Sequence, residues 1–278
     1  MKRLLVLSAA LLLHGALAGA QQSEAPPSPF TFWYDYTVKP GKEAEFLDVV
    51  KTVGGPVRDK LMAEGVVTAW GVEVPLLRQP GGPTHTIWYS TNDWAGVGKV
   101  QAAMAEQLAK PSAAAKGGRA MTNAERSLEV FDIAKTRDML TRDLEAGYSK
   151  ATPAPGTLPV TRYSSVKVHP GKAREYRQLF DKYYKPVLEK LTADGVILAW
   201  GLGVEDVKTS GDFTHFSWIV APDMAAFDKL RAAFNADRDK RSQEERDAIN
   251  ASFVAVLDVD ASRSAVARSL IFKVAAAK

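Results

Sequence analysis

The chain has 278 residues, with 36 Lys and Arg against 32 Asp and Glu, no cysteine and 46% hydrophobic residues. These figures suit one or two globular domains and exclude the collagen-like, disordered and disulfide-stapled classes. The net charge of +4 is not gathered into a Lys/Arg stripe interleaved with aromatics, so no phosphate-tracking surface is expected and nucleic acid is not an expected partner.

Residues 1–20 read as an export signal: Lys2 and Arg3 form a charged start, Leu4 to Leu13 is an almost unbroken apolar run, and Ala18-Gly19-Ala20 supplies a small-x-small cleavage site. Cleavage after Ala20 predicts a product in the periplasm or medium with no remaining membrane association, and lowers the net charge from +4 to +2 by removing Lys2 and Arg3. The absence of cysteine suits an oxidising compartment. Residues 21–29, with three prolines, read as a flexible leader.

The rest of the chain repeats itself. Val38-Lys39-Pro40-Gly41-Lys42 returns as Val168-His169-Pro170-Gly171-Lys172, an offset of 130 that holds without a gap through Asp93 and Asp223. Pro56/Pro186, Gly65/Gly195, Ala69-Trp70-Gly71/Ala199-Trp200-Gly201, Thr84-His85/Thr214-His215 and Trp88/Trp218 all keep the register. Such agreement among rare residues at one spacing indicates a duplicated domain. The expected organisation is a first domain over 30–149, a linker over 150–159 and a second domain over 160–278.

Each copy predicts the same elements. First strands over Phe30 to Val38 and Val160 to Val168 end at a Pro-Gly pair suited to a type II turn. A helix follows, with Tyr176, Leu179, Phe180, Tyr183, Val187 and Leu191 on one face. Pro56 and Pro186 predict a kink or break in it, and Gly65 and Gly195 a left-handed C-cap. Second strands run over Val66 to Val74 and Val196 to Val204, third strands over His85 to Ser90 and His215 to Val220. Asp93 and Asp223 then stand as N-caps, and Thr122/Glu125 and Ser242/Glu245 have capping-box spacing for one more helix per copy. Thr136 to Arg142 and Ser262 to Arg268 are the expected fourth strands.

This order, βαββαβ twice, is the ferredoxin-like split motif, an α+β arrangement. With its Val-x-Pro-Gly-Lys strand end, Ala-Trp-Gly strand and His-x-x-Trp strand before an Asp-capped helix, the chain resembles the dimeric α/β-barrel superfamily. That superfamily includes antibiotic-biosynthesis-type monooxygenases, EthD-like and NIPSNAP-like proteins, stress-responsive barrel proteins and some haem enzymes. The resemblance implies two sheets closing face to face, here within one chain, so that the chain is a monomer containing an internal pseudo-dimer.

Candidate chemistry is sparse. His85 and His215 occupy equivalent positions and have two roles open to them: an acid/base pair meeting in the barrel, or packed residues copied by duplication. Trp88 and Trp218 lie three residues further on and hence face the other way. Trp70, Trp88, Trp200 and Trp218 offer either a flat apolar wall for an aromatic ligand or core filling. Arg137 and Arg263 offer either a carboxylate contact or charge that shields an edge strand. No metal-ligand cluster, phosphate loop or nucleophile elbow is present in the sequence, so no metal or cofactor is expected. The leading expectation is an exported tandem barrel that binds a small apolar or aromatic molecule. The alternatives are a cofactor-independent monooxygenase or isomerase using the paired histidines, and a structural or interaction module without a ligand.

Overall fold

A computed structural model describes residues 29–78, 81–112, 120–151, 157–209 and 213–275. The export signal and most of the leader, and part of the linker, lie outside the described residues. In chain order the elements are β1 (Phe30–Tyr36), α1 (Glu43–Val49), a π-helical turn (Val50–Gly54), α2 (Gly55–Ala63), β2 (Val67–Pro75), β3 (His85–Thr91), α3 (Trp94–Ala109), α4 (Asn123–Val130) and β4 (Arg137–Tyr148). They continue as β5 (Val160–Val168), α5 (Ala173–Tyr183), α6 (Lys185–Ala193), β6 (Ala199–Val207), β7 (His215–Ala221), α7 (Ala225–Arg238), α8 (Gln243–Val254) and β8 (Leu257–Val274).

The local signals act where the sequence places them. Gly41 (φ 78°) and Gly171 (φ 79°) take the positive-φ position of turns closed by Lys42 N–H to Lys39 O and Lys172 N–H to His169 O, each 3.0 Å. Gly65 and Gly195 end their helices at φ 76° and 69°. Asp93 Oδ1 accepts from Gly96 N–H at 2.6 Å, Asp223 Oδ1 accepts from Ala226 N–H at 3.0 Å, and both capping boxes are closed.

The two prolines act differently. A proline lacks the N–H for an internal helical bond, and its ring displaces the carbonyl four residues back. In the second copy the helix breaks at Tyr184, between α5 and α6. In the first copy the backbone widens into the π-helical turn just before Pro56 and stays helical throughout.

The eight strands form one closed antiparallel barrel in the order β1-β3-β2-β8-β5-β7-β6-β4, with β4 returning to β1. Two seams close it. Along one, Ala69 to Pro75 of β2 pair with Val274 to Ala267 of β8; along the other, Leu140 to Tyr148 of β4 pair with Val207 to Ala199 of β6. This explains why β4 and β8 run well past the expected fourth strands: each pairs with the first strand of its own half and the second strand of the other.

Alternation then divides the side chains. The outward faces of β1, β2 and β3 bury Trp70, Val72, Ile87 and Tyr89 against Phe46, Val53 and Leu61 of the first helices. The outward faces of the second half bury Trp200 and Leu202 against Tyr176, Phe180, Leu188 and Leu230. Inside the barrel, Trp88 lies over Gly71 and Trp218 over Gly201: a Cβ added at Gly71 would come within 2.8 Å of the Trp88 ring, and one at Gly201 would strike the Trp218 indole. A Gly201→Ala variant is therefore expected to lose about 1–3 kcal/mol of stability through overpacking, read as a lower denaturation midpoint with an unchanged slope.

Candidate functional site

The third strands decide which residues face the interior. Trp33 pairs with Trp88 across β1 and β3, and Tyr163 with Trp218 across β5 and β7, so Trp88 and Trp218 point into the barrel. His85 and His215, of opposite parity, point out beneath the helices. His85 lies 4.5 Å from the Phe46 ring and His215 5.2 Å from the Tyr176 ring, in separate helix-to-sheet layers. The paired imidazoles thus do not meet in the barrel.

Their repetition has a local reason. Thr84 Oγ1 accepts from Val38 N–H (2.8 Å), donates to Tyr36 O (3.2 Å) and lies 3.1 Å from His85 Nδ1. Since the hydroxyl has only one proton to give, the ring must donate, which assigns the Nδ1–H tautomer. Thr214 repeats the clamp, with Val168 N–H at 2.9 Å and His215 Nδ1 at 3.0 Å. Burial lowers the pKa of His85, with Arg78 assisting and Glu43 opposing, and burial with Lys208 lowers that of His215 to about 4. Both rings are neutral at neutral pH.

Trp70 and Trp200 also lie outside the barrel, in the two helix-packed cores. The sequence-level aromatic set is therefore divided: Trp88 and Trp218 are interior, and Trp70 and Trp200 are not. Arg137 and Arg263 both line a cavity of about 790 Å³ between the two halves.

The cavity sits where β1, β2 and β5 finish and where β3, β4 and β7 begin. Trp33, Tyr163, Phe213 and Phe216 form its aromatic wall, with Trp33 edge-on to Tyr163 at 5.6 Å and to Phe216 at 6.5 Å. The Trp33 indole is held by donating to Thr141 Oγ1 at 2.8 Å. Exposed Lys135, Arg137, Lys167 and Arg263 stand around the opening.

At the inner end is Glu73, 2% exposed. Its carboxylate accepts from Tyr163 Oη at 2.7 Å and from Thr161 Oγ1 at 3.0 Å. The Trp88 indole N–H faces the same carboxylate without closing a hydrogen bond. Burial raises the Glu73 pKa, against the hydroxyl bonds that lower it. Asp35 lies on the same wall, accepts from Thr86 Oγ1 at 2.7 Å, and is raised by burial against that bond and the charge of Arg137. A carboxyl group with a raised pKa beside a cavity is placed to exchange a proton with a bound molecule.

Trp33, Asp35, Glu73 and Tyr163 were not picked out by sequence reasoning, which favoured residues retained in both copies. The positions 130 residues from Asp35 and Glu73 are Ser165 and Gly203. An acid between β-branched Val72 and Val74, set against a glycine in its twin, was the available signal. Among the described residues no group of three or more His, Cys, Asp or Glu is placed to hold a metal ion.

Asp143 occupies the interior beyond the cavity. Its Oδ1 accepts from Trp218 Nε1 at 3.1 Å, and burial pushes its pKa up to about 7 against that bond. Between about pH 4 and 7 the folded chain retains a proton that the unfolded chain has lost, so this group makes stability fall as pH rises through that window. Asp143→Asn removes this titrating group. Chemical denaturation is expected to show the stability of the variant gaining on wild type by up to about 1.4 kcal/mol per pH unit between pH 4 and 7, then levelling.

No protein-family model and no curated protein sequence matches the chain. Solved structures do. A "putative monooxygenase" of Fusobacterium nucleatum superposes with a TM-score of 0.59 at 14% identity, over 89% of this chain and 94% of that one. A "putative monooxygenase" of Lactobacillus acidophilus gives 0.57 at 9%, over 90% and 98%. An anthrone oxidase-like protein gives 0.50 at 14%, over 91% and 95%. What the chain shares with them is the fold, a mixed α/β arrangement around an eight-stranded antiparallel barrel.

Proposed function

We propose that the chain is an exported, duplicated barrel of two ferredoxin-like halves, monomeric in solution, that binds one small aromatic acid in the cavity between the halves. The single observation that carries this reading is the composition of that cavity. Its wall is aromatic, from Trp33, Tyr163 and Phe216, and its rim is cationic, from Lys135, Arg137, Lys167 and Arg263. Aromatic faces supply most of the contact energy for a flat ligand, and guanidinium groups take a carboxylate in a planar fork. The barrel closes with strands of one chain alone, which supports the monomer.

The test is a panel of benzoate and naphthoate derivatives alongside their neutral amides, followed by tryptophan fluorescence and thermal shift. Carboxylates are expected to bind more tightly than amides. Trp33→Ala is expected to weaken binding about tenfold, the loss of one well-packed aromatic contact of about 1.4 kcal/mol. Replacing Arg137 and Arg263 together by Gln is expected to erase the preference for acids while leaving the fold intact. A panel that moves neither signal removes the reading.

A second reading, oxygenation without a cofactor, is favoured by Glu73 and by the names of the structural neighbours. The Glu73 carboxylate would take a proton from an acidic C–H or phenol of the bound aromatic, the step that readies such a molecule for attack on dioxygen. Its requirement is oxygen uptake with an anthrone or a comparable phenol that Glu73→Gln lowers at least a hundredfold, with ligand affinity kept. Binding without oxygen uptake leaves the first reading standing alone.

A further inference from the structure

On its outer side the second half carries another cavity, of about 420 Å³, between the end of α5, the last turn of α7 and α8. Its floor is aromatic: Tyr184 lies 5.4 Å from the Phe234 ring and edge-on to Phe253 at 5.5 Å, and Tyr183 stands 6.4 Å from Phe253. Arg238, Arg241 and Arg246 line it beside one acid, Asp237. The Arg241 guanidinium is 5.4 Å from the Tyr183 ring centroid and the Lys182 ammonium 5.0 Å from it.

The guanidinium groups are held in place but not neutralised. Arg241 Nη1 donates to Asp237 O at 2.9 Å, and its Nη2 is 2.7 Å from Asp237 Oδ2. Arg246 Nη2 donates to Gln243 Oε1 at 3.0 Å, and its Nη1 is 3.5 Å from Asp239 Oδ1, which also accepts from Arg238 Nε at 3.3 Å. Among the described residues two carboxylates thus answer three guanidinium groups, and Lys240 competes for Asp237 at 3.5 Å. Arg246 Nε is sealed from solvent with no hydrogen-bond partner. A guanidinium has five N–H donors, so Arg241 and Arg246 have donors to spare.

The first half settles the same place differently. Arg126 of α4, the counterpart of Arg246 by the capping boxes, is ion-paired with Asp48 and donates to Thr52 Oγ1 at 3.1 Å. The positions 130 residues on from Asp48 and Thr52 hold Gln178 and Lys182: the arginine is kept, its acid is gone and a second cation has arrived. Val53, Gly54 and Met104 answer to Tyr183, Tyr184 and Phe234. Helix α4 buries Asn123, Ser127 and Val130, whereas α8 has no buried residue. The second copy therefore has a looser helix, aromatic faces and surplus positive charge where the first has a closed ion pair over aliphatic packing.

We propose that this cavity is a binding site for a phosphate monoester of a flat aromatic group. The ring lies on Tyr184, Phe234 and Phe253, and the phosphate takes hydrogen bonds from Arg241 and Arg246, whose planar forks match its oxygens. A phosphate dianion answers the surplus charge more fully than a carboxylate does. This site is separate from the cavity between the halves and does not depend on the function proposed there.

Isothermal titration of the purified full chain with 1-naphthyl phosphate, inorganic phosphate and 1-naphthol tests this. Wild type is expected to bind the ester at least about tenfold more tightly than inorganic phosphate, with 1-naphthol unable to displace it. Arg241→Gln with Arg246→Gln is expected to weaken the ester at least about tenfold, and Tyr184→Ala about tenfold. Arg137→Gln with Arg263→Gln, which strips cations from the barrel cavity, is expected to bind the ester as wild type does. No binding by wild type, equal affinity for the ester and inorganic phosphate, or a loss confined to the Arg137 and Arg263 variant overturns the proposal. Should the Arg241 and Arg246 variant fail to fold, wild-type crystals soaked in 4-bromophenyl phosphate decide: an anomalous bromine peak against Tyr184 and Phe234 is required, and its absence overturns the site.

Discussion

Everything in this molecule depends on the two backbone seams, β2 with β8 and β4 with β6. Without them each half would present one face of a four-stranded sheet to water, and the edges of its second and fourth strands would be unpaired. With them the chain closes its own barrel, and the inward faces of both halves become one interior. An eight-stranded barrel has just enough space to be filled by side chains or to keep room for one small ligand. Here both happen: Trp88 and Trp218, seated over Gly71 and Gly201, fill part of the interior, and the space toward the ends of β1, β2 and β5 stays open.

The two halves share their scaffold and differ in their chemistry. Both have the Pro-Gly turn, the Thr-His clamp, the Asp cap and the capping box. The cationic rim is shared, Arg137 answering to Arg263, whereas the acids that line the cavity stand at positions where the copies disagree. Glu73 answers to Gly203 and Asp35 to Ser165. A pair of identical halves would surround a central cavity with a two-fold pattern. This one sets Glu73 of the first half between Thr161 and Tyr163 of the second and Asp143 against the Trp218 indole, so the two sides of the interior present different groups.

Much of the fold was legible in the sequence because a repeat allows each element to be read twice. The order of strands and helices, the positive-φ glycines, and the caps at Asp93, Asp223, Thr122 and Ser242 follow from local chemistry and appear where expected. The lengths of β4 and β8 were not legible, since their extra residues are held by pairing across the seams and not by local propensity; Glu145-Ala146-Gly147 is a weak strand sequence that β6 nevertheless pairs. The candidate site was harder still. Parity shows that His85 and Trp88 face opposite ways, but only the side on which the helices pack decides which one is inside. The search for residues common to both copies also led away from Glu73, Asp35, Trp33 and Tyr163.

The most direct measurement of the central claim, that the interior between the halves is the ligand site, is a crystal structure of the protein soaked with a brominated naphthoate, located by anomalous scattering. A single bromine position is expected inside the barrel, with the ring against Trp33 and Phe216 and the carboxylate toward Arg137 or Arg263. Bromine found only outside the barrel, with the interior cavity occupied by water alone, would contradict it.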